Sequence, residues 1–216
     1  MAFSYLEFYK NANSKAMENA AFEYIIGDML QRNLTGDAKQ KELSGMDVEK
    51  IIGGNFVPSM FYVFMYLGSK ETSKNSVFID NVPLVLCTKV AGASIAGINF
   101  NMVPNDVRAA FLDLITQPFG DYNKSVEDGN AKPVNEKLAM ILSDPNNFNA
   151  LMTIFKSKYN VDISSCVRNY NIGSIVKSRM IEVDMWKYIP FLSFKDAVRG
   201  VNLAELQMEL IKLPNK

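Results

Sequence analysis

Histidine is absent from the 216 residues of this chain. Its absence excludes the Ser-His-Asp triad, the Cys-His dyad and every imidazole general base. The usual catalytic zinc sites and the facial iron triad also need at least one histidine. The commonest hydrolytic and metal-dependent mechanisms are therefore excluded before any motif is considered.

The chain also has only two cysteines, a net charge of zero and no long apolar run. The two cysteines, Cys87 and Cys166, form no CxxC motif, which excludes a cysteine-based metal site. Because the chain shows no signal-peptide pattern, we expect two buried free thiols in a reducing cytoplasm rather than a disulfide. The 23 basic residues balance the 23 acidic ones, which is not typical of bulk-charge binding to nucleic acid. No apolar run reaches the ~18 residues that cross a bilayer.

The residues that are present indicate a globular chain with strands in its first half. Hydrophobic residues make up 48% of the sequence. Residues 1–31 have helical apolar spacing, with a break expected near Asn11–Ser14. Between residues 55 and 101, runs rich in β-branched and aromatic residues alternate with turn clusters, and Pro83 must lie at a strand start or an edge. The predicted strands are Phe61–Tyr66, Val77–Ile79, Val82–Cys87 and Ile95–Phe100.

The rest of the chain predicts mainly helices. Pro104 begins one helix, and Asp144 and Pro145 begin another as N-cap and first residue. Further helices are predicted over Met46–Ile52, Val134–Leu142 and residues 163–182, with Met180–Val183 as a strand alternative.

These elements predict an α+β fold. We expect a small antiparallel β-barrel or sandwich, at about residues 55–101, flanked by N-terminal and C-terminal helices. The chain divides into an N-terminal helical segment (1–52) and a barrel-like core with packed C-terminal helices (53–216), or forms one continuous domain.

Two short motifs have the spacing of catalytic or nucleotide-binding sites without the residues those sites need. Ser174-Ile-Val-Lys177 matches S-x-x-K, but the companion S-D-N and K-T-G elements are missing. Gly92 and Gly97 have phosphate-loop spacing without the lysine that follows, so a turn before a strand is favoured. A carboxylate-only enzyme is an alternative that no acidic pair singles out. We expect no catalytic residue, metal or cofactor.

A mildly basic stretch comprises Arg168, Lys177, Arg179 and Lys187. One interpretation is a solvated helix face; the other is contact with phosphate or an acidic partner.

A succession of motifs resembles a known family. The motifs are, in order, Asn55–Tyr66, Phe78–Leu86, Ala96–Pro104 with Arg108, Cys166–Tyr170, Ser178–Glu182 and Trp186. Their order, over residues 54–116 and 163–192, is similar to that of virion structural proteins of large tailed bacteriophages, including DNA end protector and head-completion proteins. The chain departs from the family pattern in lacking the histidine that precedes its Leu-Pro.

The resemblance implies a non-enzymatic virion protein of the head–tail connector, tail hub or baseplate. Its implied partners are portal, neck or tail components, and its implied assembly is a homo-oligomeric ring in the virion, after synthesis in the host cytoplasm. No membrane partner is expected. The alternative is a DNA end protector, which binds DNA termini; the net charge does not favour it.

The resemblance also implies roles for five residues, with ordinary folding as the alternative for each. Gly97 would allow a close turn, Asn99 would bond exposed backbone, and Pro104 would start a helix. Arg108 would tie that helix to an acidic or backbone partner. Trp186 would anchor the C-terminal segment on the core or on a neighbouring subunit.

Overall fold

The computed structural model describes a chain of helices around an open antiparallel sheet. It describes residues 3–27, 56–67, 71–72, 77–116, 140–142, 144–192, 198–199, 202, 204–205 and 207–208. The α-helices are α1 (Tyr5–Asn11), α2 (Ser14–Ala21), α3 (Asn105–Thr116) and α4 (Pro145–Tyr159), and a π-helical turn spans Phe22–Gly27. Short 3-10 helices span Phe100–Met102, Ser164–Cys166, Ile172–Ser174 and Val183–Phe191. The strands are β1 (Phe61–Tyr66), β2 (Glu71–Thr72), β3 (Val77–Asp80), β4 (Leu84–Ala91), β5 (Ser94–Asn99), β6 (Val167–Asn171), β7 (Ile175–Ile181) and β8 (Val198–Arg199).

The N-terminal helices break where the sequence predicts. Asn13 caps α2 by accepting a hydrogen bond from the Ala16 amide. α1 is capped across the fold, because Asp113 of α3 accepts the amide protons of Tyr5 at 2.6 Å and Leu6 at 3.1 Å. A carboxylate at a helix N-terminus is favoured by the helix dipole, so this contact fixes α1 on α3.

Five strands form the main sheet, in the order β6-β5-β4-β1-β7, and every pair is antiparallel. The predicted α+β class and the strands between residues 55 and 101 are confirmed. Pro83 directly precedes β4, and Gly92, with a φ of 56°, forms the tight turn into β5. The sheet stays open rather than closing into a barrel, since β6 and β7 lie at opposite edges.

The helix predicted over residues 163–182 is wrong. This segment forms β6 and β7, with a 3-10 turn at Ile172–Ser174 between them. Pairing of β6 with β5 and of β7 with β1 supplies the backbone hydrogen bonds that an isolated helix would have made. Both are edge strands in which polar residues such as Asn169 and Ser178 interrupt the apolar positions, so they lack a clear apolar alternation.

Two of the predicted helices are confirmed. Pro104 directly precedes α3, and the Asp144 carboxylate caps α4 through the Asn146 amide at 2.8 Å. The predicted Met46–Ile52 helix lies outside the described residues, as does most of Val134–Leu142. None of the helices in the described part of the chain has the length and apolar character of a membrane span.

Aromatic rings pack on both faces of the central strand β1. On one face, Phe61 makes edge contacts with Phe100 and Trp186, at ring distances of 4.8 and 5.1 Å. On the other, Phe64 contacts Tyr170 at 5.1 Å. Edge-to-face pairs of this kind add stabilisation beyond the area they bury.

We expect Gly97→Ala to destabilise the fold by about 3 kcal/mol, the upper part of the range for overpacked cores. A Cβ at this position would lie 2.3 Å from the Leu86 carbonyl oxygen and 2.5 Å from the Val85 side chain. The matched control is Gly92→Ala, where a Cβ meets nothing within 4 Å and only the positive φ is strained. Urea unfolding of both variants measures the difference, and equal losses would contradict the close contact at Gly97.

Candidate functional site

A buried polar junction forms where β3 and β5 end. Asp80, Asn99 and Asn101 are all almost fully buried. The Asp80 carboxylate accepts hydrogen bonds from the side-chain amide of Asn99 at 2.8 Å and from that of Asn101 at 3.0 Å. It also accepts the Val82 amide at 3.2 Å. A buried carboxylate is costly unless donors surround it, and these donors meet that requirement.

Local sequence explains this geometry. Asn99 ends β5, and its side-chain oxygen accepts the Asn101 amide at 3.0 Å, which turns the chain into the Phe100–Met102 3-10 helix. That turn directs the Asn101 amide group to Asp80 and to the Val82 carbonyl oxygen. The Asn101 side-chain oxygen accepts no hydrogen bond within the described part of the structure. The junction thus fixes the corner between the sheet and α3.

Arg108, the fourth residue of α3, is 2% exposed. Its Nε donates to the Val103 carbonyl oxygen at 2.7 Å and its Nη1 to that of Leu192 at 2.6 Å. Burial lowers the pKa of Arg108 to about 10, and the negative charge of Asp80 partly opposes this. Arg108 therefore stays charged at neutral pH and joins α3 to the end of the Val183–Phe191 helix.

The C-terminal residues close over this junction. The Gln207 amide donates to the Asn101 carbonyl oxygen at 2.8 Å. β8 pairs with β3, which places Val198 opposite Asp80. The junction therefore contains segments from the middle and the end of the chain.

The remaining residues implied by the resemblance also have internal contacts. Trp186 is fully buried, and its indole nitrogen donates to the Ile181 carbonyl oxygen at 3.2 Å. The turn expected at Gly97 is wrong: Gly97 lies within β5, where the missing side chain permits close approach of β5 to β4. Asn99 bonds a side chain and a local amide, and Arg108 bonds backbone carbonyls.

The four basic residues do not form one patch. Arg168 lies on β6 and Arg179 on β7, at opposite edges of the sheet, which places four strand spacings or about 19 Å between them. Arg179 donates to the Ile25 carbonyl oxygen at 3.3 Å. Lys177 lies in β7 opposite Met65, and the Lys187 ammonium lies 5.2 Å from the Tyr188 ring. The interpretation of this stretch as one helix face is therefore wrong.

Sequence reasoning missed the polar partners of this site. Asp80 lies within the Phe78–Leu86 motif and Asn101 within Ala96–Pro104, whereas no motif includes Asp113 or Gln207. The available signal was polar residues inside or next to apolar runs, as in Ile79-Asp80-Asn81 and Asn99-Phe100-Asn101. In the described ranges, no group of three or more Cys, Asp or Glu residues is placed to hold a metal ion.

We expect Arg108→Met to lower the free energy of unfolding by about 3 kcal/mol. The methionine fills similar space but leaves the Val103 and Leu192 carbonyl oxygens without their donor. Arg168→Met is the control, because Arg168 binds the Ser165 carbonyl in an exposed setting. Thermal unfolding monitored by circular dichroism measures both, and a neutral Arg108→Met would show that the buried cation is dispensable.

Both cysteines are buried free thiols, and burial raises the pKa of Cys87 to about 11 and that of Cys166 to about 12. We expect neither to react with a disulfide reagent at pH 8 until the chain unfolds, because the thiolate is the nucleophile. Because the thiols of the unfolded chain lose their protons at a lower pH, the free energy of unfolding falls as pH rises from about 9 to about 12. Rapid native labelling would contradict this, and Cys87→Ala and Cys166→Ala identify the thiol responsible.

Known proteins provide no template for the junction, since no family model, curated protein or solved structure matches this chain. What the chain does is therefore inferred from its own residues and from the order of its motifs.

Proposed function

We propose that this protein is a non-enzymatic structural component of a tailed-bacteriophage virion, in the head–tail connector, tail hub or baseplate. It acts by binding neighbouring virion proteins, and it forms a homo-oligomeric ring. The order of motifs along the sequence suggests this class of protein.

One observation carries the proposal: three polar side chains of those motifs, Asp80, Asn99 and Arg108, are committed to internal hydrogen bonds. Asp80, Asn99 and Arg108 are buried, and their partners are amides and backbone carbonyls of the same chain. Groups held in this way orient the backbone and are not presented to a substrate. Motifs that specify a rigid scaffold are what an assembly protein needs.

Exposed apolar side chains give a second, weaker support. Phe22 and Tyr24 of the π-helical turn and Met180 of β7 are each between 43% and 50% exposed. Tyrosine, phenylalanine and methionine are enriched at protein interfaces. The DNA end protector alternative is less well supported, because Arg168 and Arg179 lie at opposite edges of the sheet.

The test is the mass of the purified protein in solution, alone and with short double-stranded DNA, at about 50 and 200 mM salt. We expect a self-associated species whose mass does not change with DNA. A monomer that binds DNA ends and dissociates as salt rises would overturn the proposal in favour of DNA-end binding. A monomer that binds neither DNA nor other virion proteins would overturn both.

A matched pair of variants distinguishes an effect on binding to other molecules from an effect on folding. Tyr24→Ser changes an exposed ring and is expected to weaken self-association or partner binding while leaving the melting temperature within about 3 °C of the wild type. Arg108→Met is expected to change the melting temperature instead.

A further inference from the structure

The chain has a second sheet, whose strands are much shorter than those of the main sheet. Its order is β2-β3-β8, and the three strands have two, four and two residues. β8 is joined to β3 by two residue pairs, Ile79 with Arg199 and Asp80 with Val198. Such short pairings have little stability of their own and depend on the structure they are attached to.

Asp80 connects this small sheet to the main one. Its backbone is paired with β8, whereas its carboxylate accepts the side-chain amides of Asn99 at 2.8 Å and Asn101 at 3.0 Å. Asn99 is the last residue of β5 in the main sheet. The end of β3 is therefore held by the main sheet through side-chain contacts that do not involve β8.

We call β8 and the described residues of 202–208 the strap. Beyond β8, the strap contacts the polar junction through Gln207, whose amide donates to the carbonyl oxygens of Asn101 at 2.8 Å and Val103 at 3.4 Å. The Val103 oxygen also accepts from Arg108 at 2.7 Å, so it keeps a donor without Gln207. The other described side chains of this part of the strap are exposed: Asn202, Ala204, Glu205 and Met208.

The strap and the main sheet differ in how much holds them in place. Few buried apolar side chains and few hydrogen bonds are typical of regions that open locally while the rest of a protein stays folded. Beyond β8, none of the described strap residues buries an apolar side chain. In β4, by contrast, every residue from Leu84 to Cys87 is fully buried. Opening the strap therefore requires less free energy than opening the main sheet.

We propose that the strap opens and closes over the buried polar junction as a unit while the main sheet stays folded. In the closed state it pairs with β3 and supplies the donor for the Asn101 carbonyl oxygen. In the open state this oxygen and the backbone of Ile79 and Asp80 become accessible. The strap thus controls access to the junction, and this inference goes beyond the proposed function and does not depend on it.

Hydrogen exchange of the full chain in increasing urea tests the proposal. Exchange through local opening depends weakly on urea because little surface is exposed, whereas exchange through global unfolding depends on it strongly. We expect the protected amides of β3 and β8 to exchange more than about tenfold faster than the slowest amides of β4 and β5, with the weaker urea dependence. Equal rates and equal urea dependence would overturn the inference, as would a complete lack of protection in β8.

A substitution in the main sheet tests whether the strap opens independently. Ile95→Val removes one methylene from a fully buried side chain of β5, so we expect the slowest amides of β4 and β5 to exchange about fivefold faster. The protected amides of β3 and β8 should keep their rates, because the open and closed states of the strap are destabilised equally. Faster exchange of both groups by the same factor would overturn the inference.

Gln207→Glu tests the contact that holds the strap closed. It replaces the amide donor with a carboxylate beside two carbonyl oxygens, so we expect the protected amides of β3 and β8 to exchange about tenfold faster. The matched control is Glu205→Gln, the reverse change at an exposed strap residue, with less than about a twofold effect. Unchanged exchange in Gln207→Glu would overturn the role of this contact.

A disulfide between the paired strands provides an independent test. Cα atoms that face each other in an antiparallel pair are close enough for a disulfide, so Ile79→Cys with Arg199→Cys places two thiols across β3 and β8. We expect oxidation to slow the protected amides of β3 and β8 to the rates of β4 and β5, and reduction to restore them. The wild type treated with the same oxidant is the control. An oxidised chain whose strap still exchanges at the reduced rate would overturn the inference.

Discussion

The buried guanidinium of Arg108 is the contact on which the arrangement of the chain depends. It binds carbonyl oxygens from two segments separated by more than 80 residues, the turn at Val103 and the end of the Val183–Phe191 helix at Leu192. A planar group with five donors suits this purpose, because it satisfies several carbonyls from one side chain. Trp186 lies within the same Val183–Phe191 helix and packs on Phe61 of β1. By holding the end of this helix, Arg108 therefore also helps to keep Trp186 against the sheet.

In this arrangement, polar groups in the interior and side chains at the edges of the sheet have different roles. The buried Asp80 carboxylate and Arg108 guanidinium bind other groups of the chain, so they hold backbone segments in place. Exposed apolar side chains lie at the periphery, as Tyr24 does in the π-helical turn and Met180 in β7. The two edges are chemically distinct, because the Arg168 guanidinium of β6 donates to backbone carbonyl oxygens whereas β7 lies beside exposed Tyr24 and Met180.

Sequence patterns predicted the central strands because those strands are buried on both faces. β1 and the first half of β4 form continuous apolar runs, and Pro83 and Gly92 mark their limits. The edge strands could not be predicted in this way, since polar residues interrupt their apolar positions and their pairing partners lie far away in sequence. The polar junction could not be predicted for the same reason. Asp80, Asn101 and Gln207 come together only in the tertiary structure, and in the sequence such residues cannot be distinguished from ordinary turn residues.

The cap on α1 has a consequence for the order in which the protein is made. A seven-residue helix has little stability of its own, and two of its first amides are satisfied by Asp113, which lies 108 residues downstream of Tyr5. At roughly 5–20 residues per second, the ribosome needs on the order of 5–20 s to add that residue after the helix has been made. α1 is therefore synthesised before the carboxylate that caps it, and it can settle on α3 only after Asp113 has been added.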